Sequence, residues 1–312
     1  MHLYSYIPNK TLLLAAVVFL AVPLFFMGFG NNPASPLSQL YALGHFIFFA
    51  LMAWLFCLVP FLARLPFARQ VALTTLLVLI IGGFIELIQP FFGRTASWKD
   101  IGINIAGAMV GLFFFSPARA ELDRILRKSF QAVALVLCFI IFYDPVITLW
   151  DMYQASKQFP ILSDFETRFQ HKRWSNGRID QSISRQGDSS LRVRLDARRQ
   201  YPGTTLTHSF GDWWGYSALY LSIYNPDADP LTMSISIRDQ ENRMNRRGFG
   251  DRFDRTFEII QGWNDLLVPM IDIKNAPKER TLDLDQLTSV VIFTMNLSRP
   301  RTIYVDNVRL IR

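Results

Sequence analysis

Gln70-VALTTLLVLIIGGFIELIQP-Phe91 reads as a membrane crossing, for it is long enough to span the hydrocarbon core and holds a single formal charge, Glu86. Similar runs flank it at Thr11–Phe29, Leu43–Leu62, Ile101–Phe115 and Phe130–Trp150. Each must be helical, because lipid offers no partner to an unpaired backbone group. The charges follow this division. Of 32 Lys+Arg and 25 Asp+Glu, only 9 and 5 precede residue 151, while 23 and 20 follow it. The first half is lipid-dissolved and the second water-dissolved. The run from Thr11 is too long for a signal-peptide core and is expected to be a retained helix.

The loops set an orientation. Lys10, Arg64, Arg69, Arg119, Arg124, Arg127 and Lys128 fall on one side, and Arg94 and Lys99 on the other. The positive-inside rule places the N-terminus in the cytoplasm and everything after Trp150 outside it. The net charge of +7 is mild and partly belongs to these helix flanks, so no nucleic-acid partner is expected. Cys57 and Cys138 lie in apolar runs, with no second cysteine or metal-ligand spacing nearby.

Polar residues in this half gather at one depth: His45 opens the second run, Glu86 and Gln89 close the third, Arg94, Ser97 and Asp100 occupy the loop, and Asn104 lies in the fourth. Ionisable groups are costly there and are either paired or functional. Asp100, Asn104, Gly107 and Gly111 share one helix face, and the GxxxG pair permits a close helix approach. The polar end of that face is expected against Glu86, near Gly82 and Gly83.

The string Gly44-His45-Phe46, Glu86-Leu-Ile-Gln89, Gly93-Arg94-Thr-Ala-Ser97-Trp-Lys-Asp100, Asn104-Ile-Ala-Gly107 and Gly111 resembles the VanZ-like family over about residues 35–116. The family's usual charge just before the histidine is replaced by Ala42 and Leu43. The resemblance implies a multi-pass protein of the bacterial cytoplasmic membrane. The founding member's link to glycopeptide resistance does not carry over.

Beyond a linker at 151–163, apolar and polar residues alternate, as in Leu191-Arg-Val193-Arg-Leu195-Asp-Ala197. The pattern repeats at Leu219–Ile223, Leu231–Ile237, Val290–Met295 and Thr302–Val308, with turn clusters between. The expected fold is a membrane α-helical bundle of five helices over 1–150, then an all-β jelly-roll sandwich over 164–312. Asp164-Phe-Glu166, Asp212-Trp213, Asp251-Arg-Phe253, Gly262-Trp263-Asn264 and Tyr304-Val-Asp306-Asn307 resemble galactose-binding-like and carbohydrate-binding-module domains. That resemblance implies a structural calcium at Glu166 and Asp306; no other cofactor is expected.

Trp174 and Trp214 are candidates for stacking on sugar rings, whereas Trp213 and Trp263 read as core. The arginine-dense stretch Arg238–Arg255 could grip phosphate or carboxylate, but Asp239, Glu241, Asp251 and Asp254 favour a self-neutralised loop. Two functions stay open. One is a binding protein whose outer domain recognises an envelope glycan or anionic ligand. The other is a membrane enzyme acting on a lipid-linked glycan, with His45 and Glu86 as acid and base, Arg94 on phosphate and Asp100 orienting the histidine. The absence of any nucleophile, P-loop or dinucleotide motif favours the first.

Overall fold

The computed structural model describes residues 36–92, 96–207, 211–244 and 248–312. The expected helix at 11–29 and the candidate Arg94 lie outside the described residues. The chain divides into two compact units, residues 1–146 and 147–312.

In the first unit α1 spans Pro36–Cys57, followed by the short α2, Pro60–Ala63. The expected run to Leu62 therefore breaks where Pro60 denies the chain a backbone donor. The break is held from inside. Gln70, 1% exposed, donates through Nε2 to the carbonyls of Leu62 and Leu65, at 2.9 and 3.1 Å. Its Oε1 accepts from Ser116 Oγ at 2.6 Å. Helix α3 spans Phe67–Ile88 and runs into a 3₁₀ turn, Gln89–Phe92; α4 spans Trp98–Phe115.

Helix α5 spans Arg124–Gln158 and continues past the expected end at Trp150. The segment 151–163 is thus helix to Gln158 and then the strand β1, Ile161–Ser163, rather than a linker. Among the described residues three helical stretches are long and apolar enough to cross a membrane: Phe67–Phe92, Trp98–Phe115 and Arg124–Gln158. Tyr41–Cys57 is a shorter apolar helix.

Helix packing follows the small residues. A Cβ on Gly107 would lie 2.3 Å from the Phe46 carbonyl oxygen, and one on Gly111 2.4 Å from that of Ala50. The GxxxG face of α4 therefore meets α1. The contact with α3 lies at Gly82, where a Cβ would come within 2.8 Å of Asn104 Nδ2. Gly83 faces open space, with nothing within 4 Å of the same construction.

The second unit is a two-sheet antiparallel sandwich. Strands β2 (Arg178–Asp180), β3 (Ser190–Leu195), β10 (Arg301–Ile311), β5 (Ala218–Asn225) and β8 (Gly262–Pro269) form one sheet in that order, with β1 also paired to β10. The other sheet runs β4 (Gly203–Thr207), β9 (Leu287–Phe293), β6 (Leu231–Asp239) and β7 (Phe253–Ile259). Alternation sets which side chains face inward, as in β3, where Leu191, Val193 and Leu195 are fully buried while Arg192 and Arg194 are exposed. Their partners across the sandwich include Leu206, Met233, Ile235, Ile237 and Ile292.

Two short helices, α6 (Gln240–Met244) and α7 (Met270–Lys274), lie in the connections. Within this unit the Arg173 guanidinium grips Asp151 on α5 with two hydrogen bonds, 2.6 and 2.8 Å, and both side chains are buried. Removing either partner would strand a buried charge.

Candidate functional site

Three helices of the first unit bring the motif residues together. His45 from α1 is fully buried, and its Nδ1 lies 2.9 Å from Asn104 Oδ1 on α4. With that oxygen accepting, Nδ1 is the donor. Glu86, near the end of α3, is 5% exposed, and its Oε2 accepts the Ser97 backbone N–H at 2.6 Å. Asp100 sits in the first turn of α4, where the helix dipole favours a negative charge. One ligand atom from each of His45, Glu86 and Asp100 lies within 4.8 Å of the others. Gln89 is buried alongside on the 3₁₀ turn after α3.

The arrangement places an imidazole beside two carboxylates in a largely apolar helical unit. It can bind a polar headgroup, exchange a proton, or hold a divalent cation, with Asn104 fixing the histidine from behind. Gln70, which the sequence reading passed over, joins no part of it, since its partners are Ser116 and the carbonyls after α2.

On the sandwich, the two tryptophan candidates do not form an aromatic platform. Trp174 is 5% exposed, with its indole N–H donating to Ser163 Oγ at 3.0 Å and its ring packed near Phe165, so it is a core residue. Trp214 is half exposed, but Lys274 Nζ sits over its ring at 4.5 Å, on a face that a sugar would need. Trp213 is fully buried as expected, but Trp263 is only partly buried and lies outside the core, packing against Tyr224 with centroids 5.3 Å apart.

Glu166 and Asp306 stand close enough to repel. Burial pushes the Asp306 carboxyl up, the Glu166 charge adds to this, and backbone N–H groups of Gln186, Arg185 and Asn307 oppose it. Glu166 Oε1 accepts from Asp188 and Ser189 N–H. A cation between the two carboxylates would relieve the repulsion, although calcium takes six to eight oxygens and this pair supplies only part of that shell.

Among the described residues the arginine-dense stretch is neutralised from within only in part, by the Arg252–Asp254 pair. Asp239 and Asp251 are both held by Arg280, which lies outside the stretch. Arg255 pairs with Asp272, and Arg252 with Asp254 at 2.7 Å. Arg238 has no ion pair among the described residues, and its Nε is buried without a hydrogen-bond partner. It lines a cavity of about 320 Å³ with Arg199, Tyr201, Thr205, Arg252 and Phe293. Burial first, and then the Arg252 charge, hold the Arg238 guanidinium below its ordinary range.

Among solved structures the β half is similar to a family 11 carbohydrate-binding module from Clostridium thermocellum in complex with a β-1,3-1,4-mixed-linked tetrasaccharide. That match has 20% identity and a TM-score of 0.37, covering 48% of this chain and 94% of that one. A cellulose-specific family 28 module is similar at 14% identity and TM-score 0.35, over 49% and 93%. An exo-β-agarase is similar at 15% identity and TM-score 0.38, but the aligned part is only 24% of the agarase's length. No protein-family model and no curated protein matches the chain. What fold and site define is an apolar helical unit with a buried polar cluster, joined to an antiparallel β-sandwich.

Proposed function

We propose that the chain is a VanZ-like integral membrane protein of the bacterial cell envelope. Its helical unit binds a polar ligand at the outer face, and its sandwich, outside the cytoplasm, recognises envelope glycan. The observation that carries this reading is the meeting of His45, Glu86 and Asp100 from α1, α3 and α4 within 4.8 Å, inside a largely apolar helical unit. Two buried carboxylate and imidazole positions that served helix register alone would be an expensive way to do it.

The test separates charge from shape. Glu86→Gln keeps a hydrogen-bond acceptor for the Ser97 N–H while removing the carboxylate charge. The expected result is a stably accumulated protein that fails to support the wild-type phenotype in its host, whereas Glu86→Ala also loses stability. Normal function of Glu86→Gln at native expression would overturn the reading and leave register-fixing in its place.

The enzyme alternative draws on the Asn104 contact, since a histidine held in place beside carboxylates is an acid–base set. Mass spectrometry of lipids that copurify with wild type and Glu86→Gln decides between the two. An unprocessed lipid-linked species accumulating on the variant supports chemistry; equal loss of all bound lipid supports binding. A structural calcium at Glu166 and Asp306 belongs to the same proposal.

A further inference from the structure

Three cavities lie in a row along one side of the sandwich, linked by shared walls. The first, about 320 Å³, contains Arg199, Arg238 and Arg252. The second, about 530 Å³, shares Ser175, Arg199 and Gly203 with it and adds Arg194 and Arg198. The third, about 400 Å³, shares Asn176 and Arg194 with the second and adds Arg178 and Arg192. They join strands of both sheets, through β3 and the β3–β4 connection on one side and β4, β6 and β9 on the other.

The groove is short of anions. Arg198 pairs with Asp196, Arg192 with Asp180 and Arg252 with Asp254. Arg178, Arg194, Arg199 and Arg238 have no ion pair among the described residues. Fork-shaped guanidinium groups spaced along a concave surface match carboxylate or phosphate oxygens repeated along a chain. On β6, Ser236 Oγ and Arg238 Nε are both buried and lack partners, an arrangement that calls for a physical reason.

The remaining lining is suited to sugars. Tyr201 and Phe293 meet edge to face with centroids 5.8 Å apart, and the Ser175 and Thr205 side chains offer hydroxyls. No long apolar wedge that would enter a lipid surface lines the cavities.

We propose that this groove binds an acidic glycan carrying carboxylate or phosphate groups on successive units, with Arg199 and Arg238 gripping the anionic groups and Tyr201 packing against a sugar ring. This rests on the reading of the sandwich as a glycan-recognition module and names its ligand class.

The test uses the full chain in detergent micelles, with binding measured against polygalacturonate, a phosphate-bearing mannan, a neutral β-glucan and double-stranded DNA. The expected result is binding to one or both anionic polymers, weakening as salt rises, with little binding to the neutral glucan. Which of the two anionic polymers binds distinguishes a carboxylate source from a phosphate source.

Arg199→Ala, at an exposed loop position, and Arg238→Gln should each weaken that binding by about tenfold or more. Unfolding temperatures near wild type would confirm that neither change acts through the fold. Equal or tighter binding of the neutral glucan overturns the acidic class while leaving the glycan module standing. Preference for DNA, or no binding to any polymer, overturns both. Unchanged affinity in both arginine variants moves the site elsewhere and overturns the proposal as well.

Discussion

A single hydrogen at Gly107 decides how near α1 and α4 can come. Its missing Cβ would sit 2.3 Å from a backbone oxygen, which no rotamer change can relieve. Gly107→Ala should lower stability in detergent by about 1–3 kcal/mol, as overpacking does. Gly83→Ala, which meets nothing within 4 Å, should be neutral or raise stability through helix propensity by up to about 1 kcal/mol. Equal melting temperatures for the two variants would defeat the close-packing account. Asp306 offers a second residue-level test. Its carboxyl is raised, so its contribution to stability is present at acid pH and is lost as pH rises through its folded value. Above that value a cation in the proposed calcium site would replace the proton. Calcium should therefore raise the melting temperature at neutral pH and have little effect in acid; an unchanged neutral melt with calcium or chelator would remove calcium from the proposal.

At the level of elements, Arg280 fastens the end of β6 through Asp239 and the turn before β7 through Asp251. Burial pushes the Asp239 carboxyl up, but the hydrogen bonds from Arg280 and the N–H groups of Asn242 and Asp283 outweigh it and hold it low. Asp265 is also held low, chiefly by its bonds to Arg185. Both contribute stability above the ordinary carboxylate range, and that stability is lost as pH falls through their folded values. Acid unfolding of the sandwich should therefore shift to higher pH in Arg280→Met, with stability at neutral pH lower by about 3–5 kcal/mol from the stranded Asp239 charge. An acid transition unmoved by the change would reject the fastening.

The same scale shows what periodicity reveals. β3, β5, β6, β9 and β10 were legible because apolar residues recur at every second position over part of each, although only β3 alternates cleanly between core and surface. The edge strand β7 was not, because Asp254, Arg255, Thr256 and Glu258 leave few apolar positions, as edges often do. The helical extension past Trp150 was hidden by charged residues that hydropathy reads as an exit from lipid, although a water-facing helix tolerates them.

For the molecule as a whole, orientation is the leading expectation from the arginine distribution. A phosphatase active only outside the cytoplasm, fused after Arg312, should be active; activity from a cytoplasm-only reporter at that position would reverse the topology. The membrane cluster was readable because a polar residue in an apolar run has few innocent explanations. The groove was not, because Arg178, Arg194, Arg199 and Arg238 come from separate strands and connections, and only the two-sheet arrangement lines them up.

Strand β10 carries a consequence for how the protein is made. It lies between β3 and β5 and also pairs β1, yet follows all three in the chain. Until Arg301–Ile311 has left the ribosome, one sheet stays in separate pieces whose edges are open. The sandwich therefore cannot finish folding strand by strand as it emerges. In the proposed orientation it arrives outside as an incomplete assembly that envelope chaperones must shield and proteases can cut, and export of its final strand sets the moment at which it becomes safe.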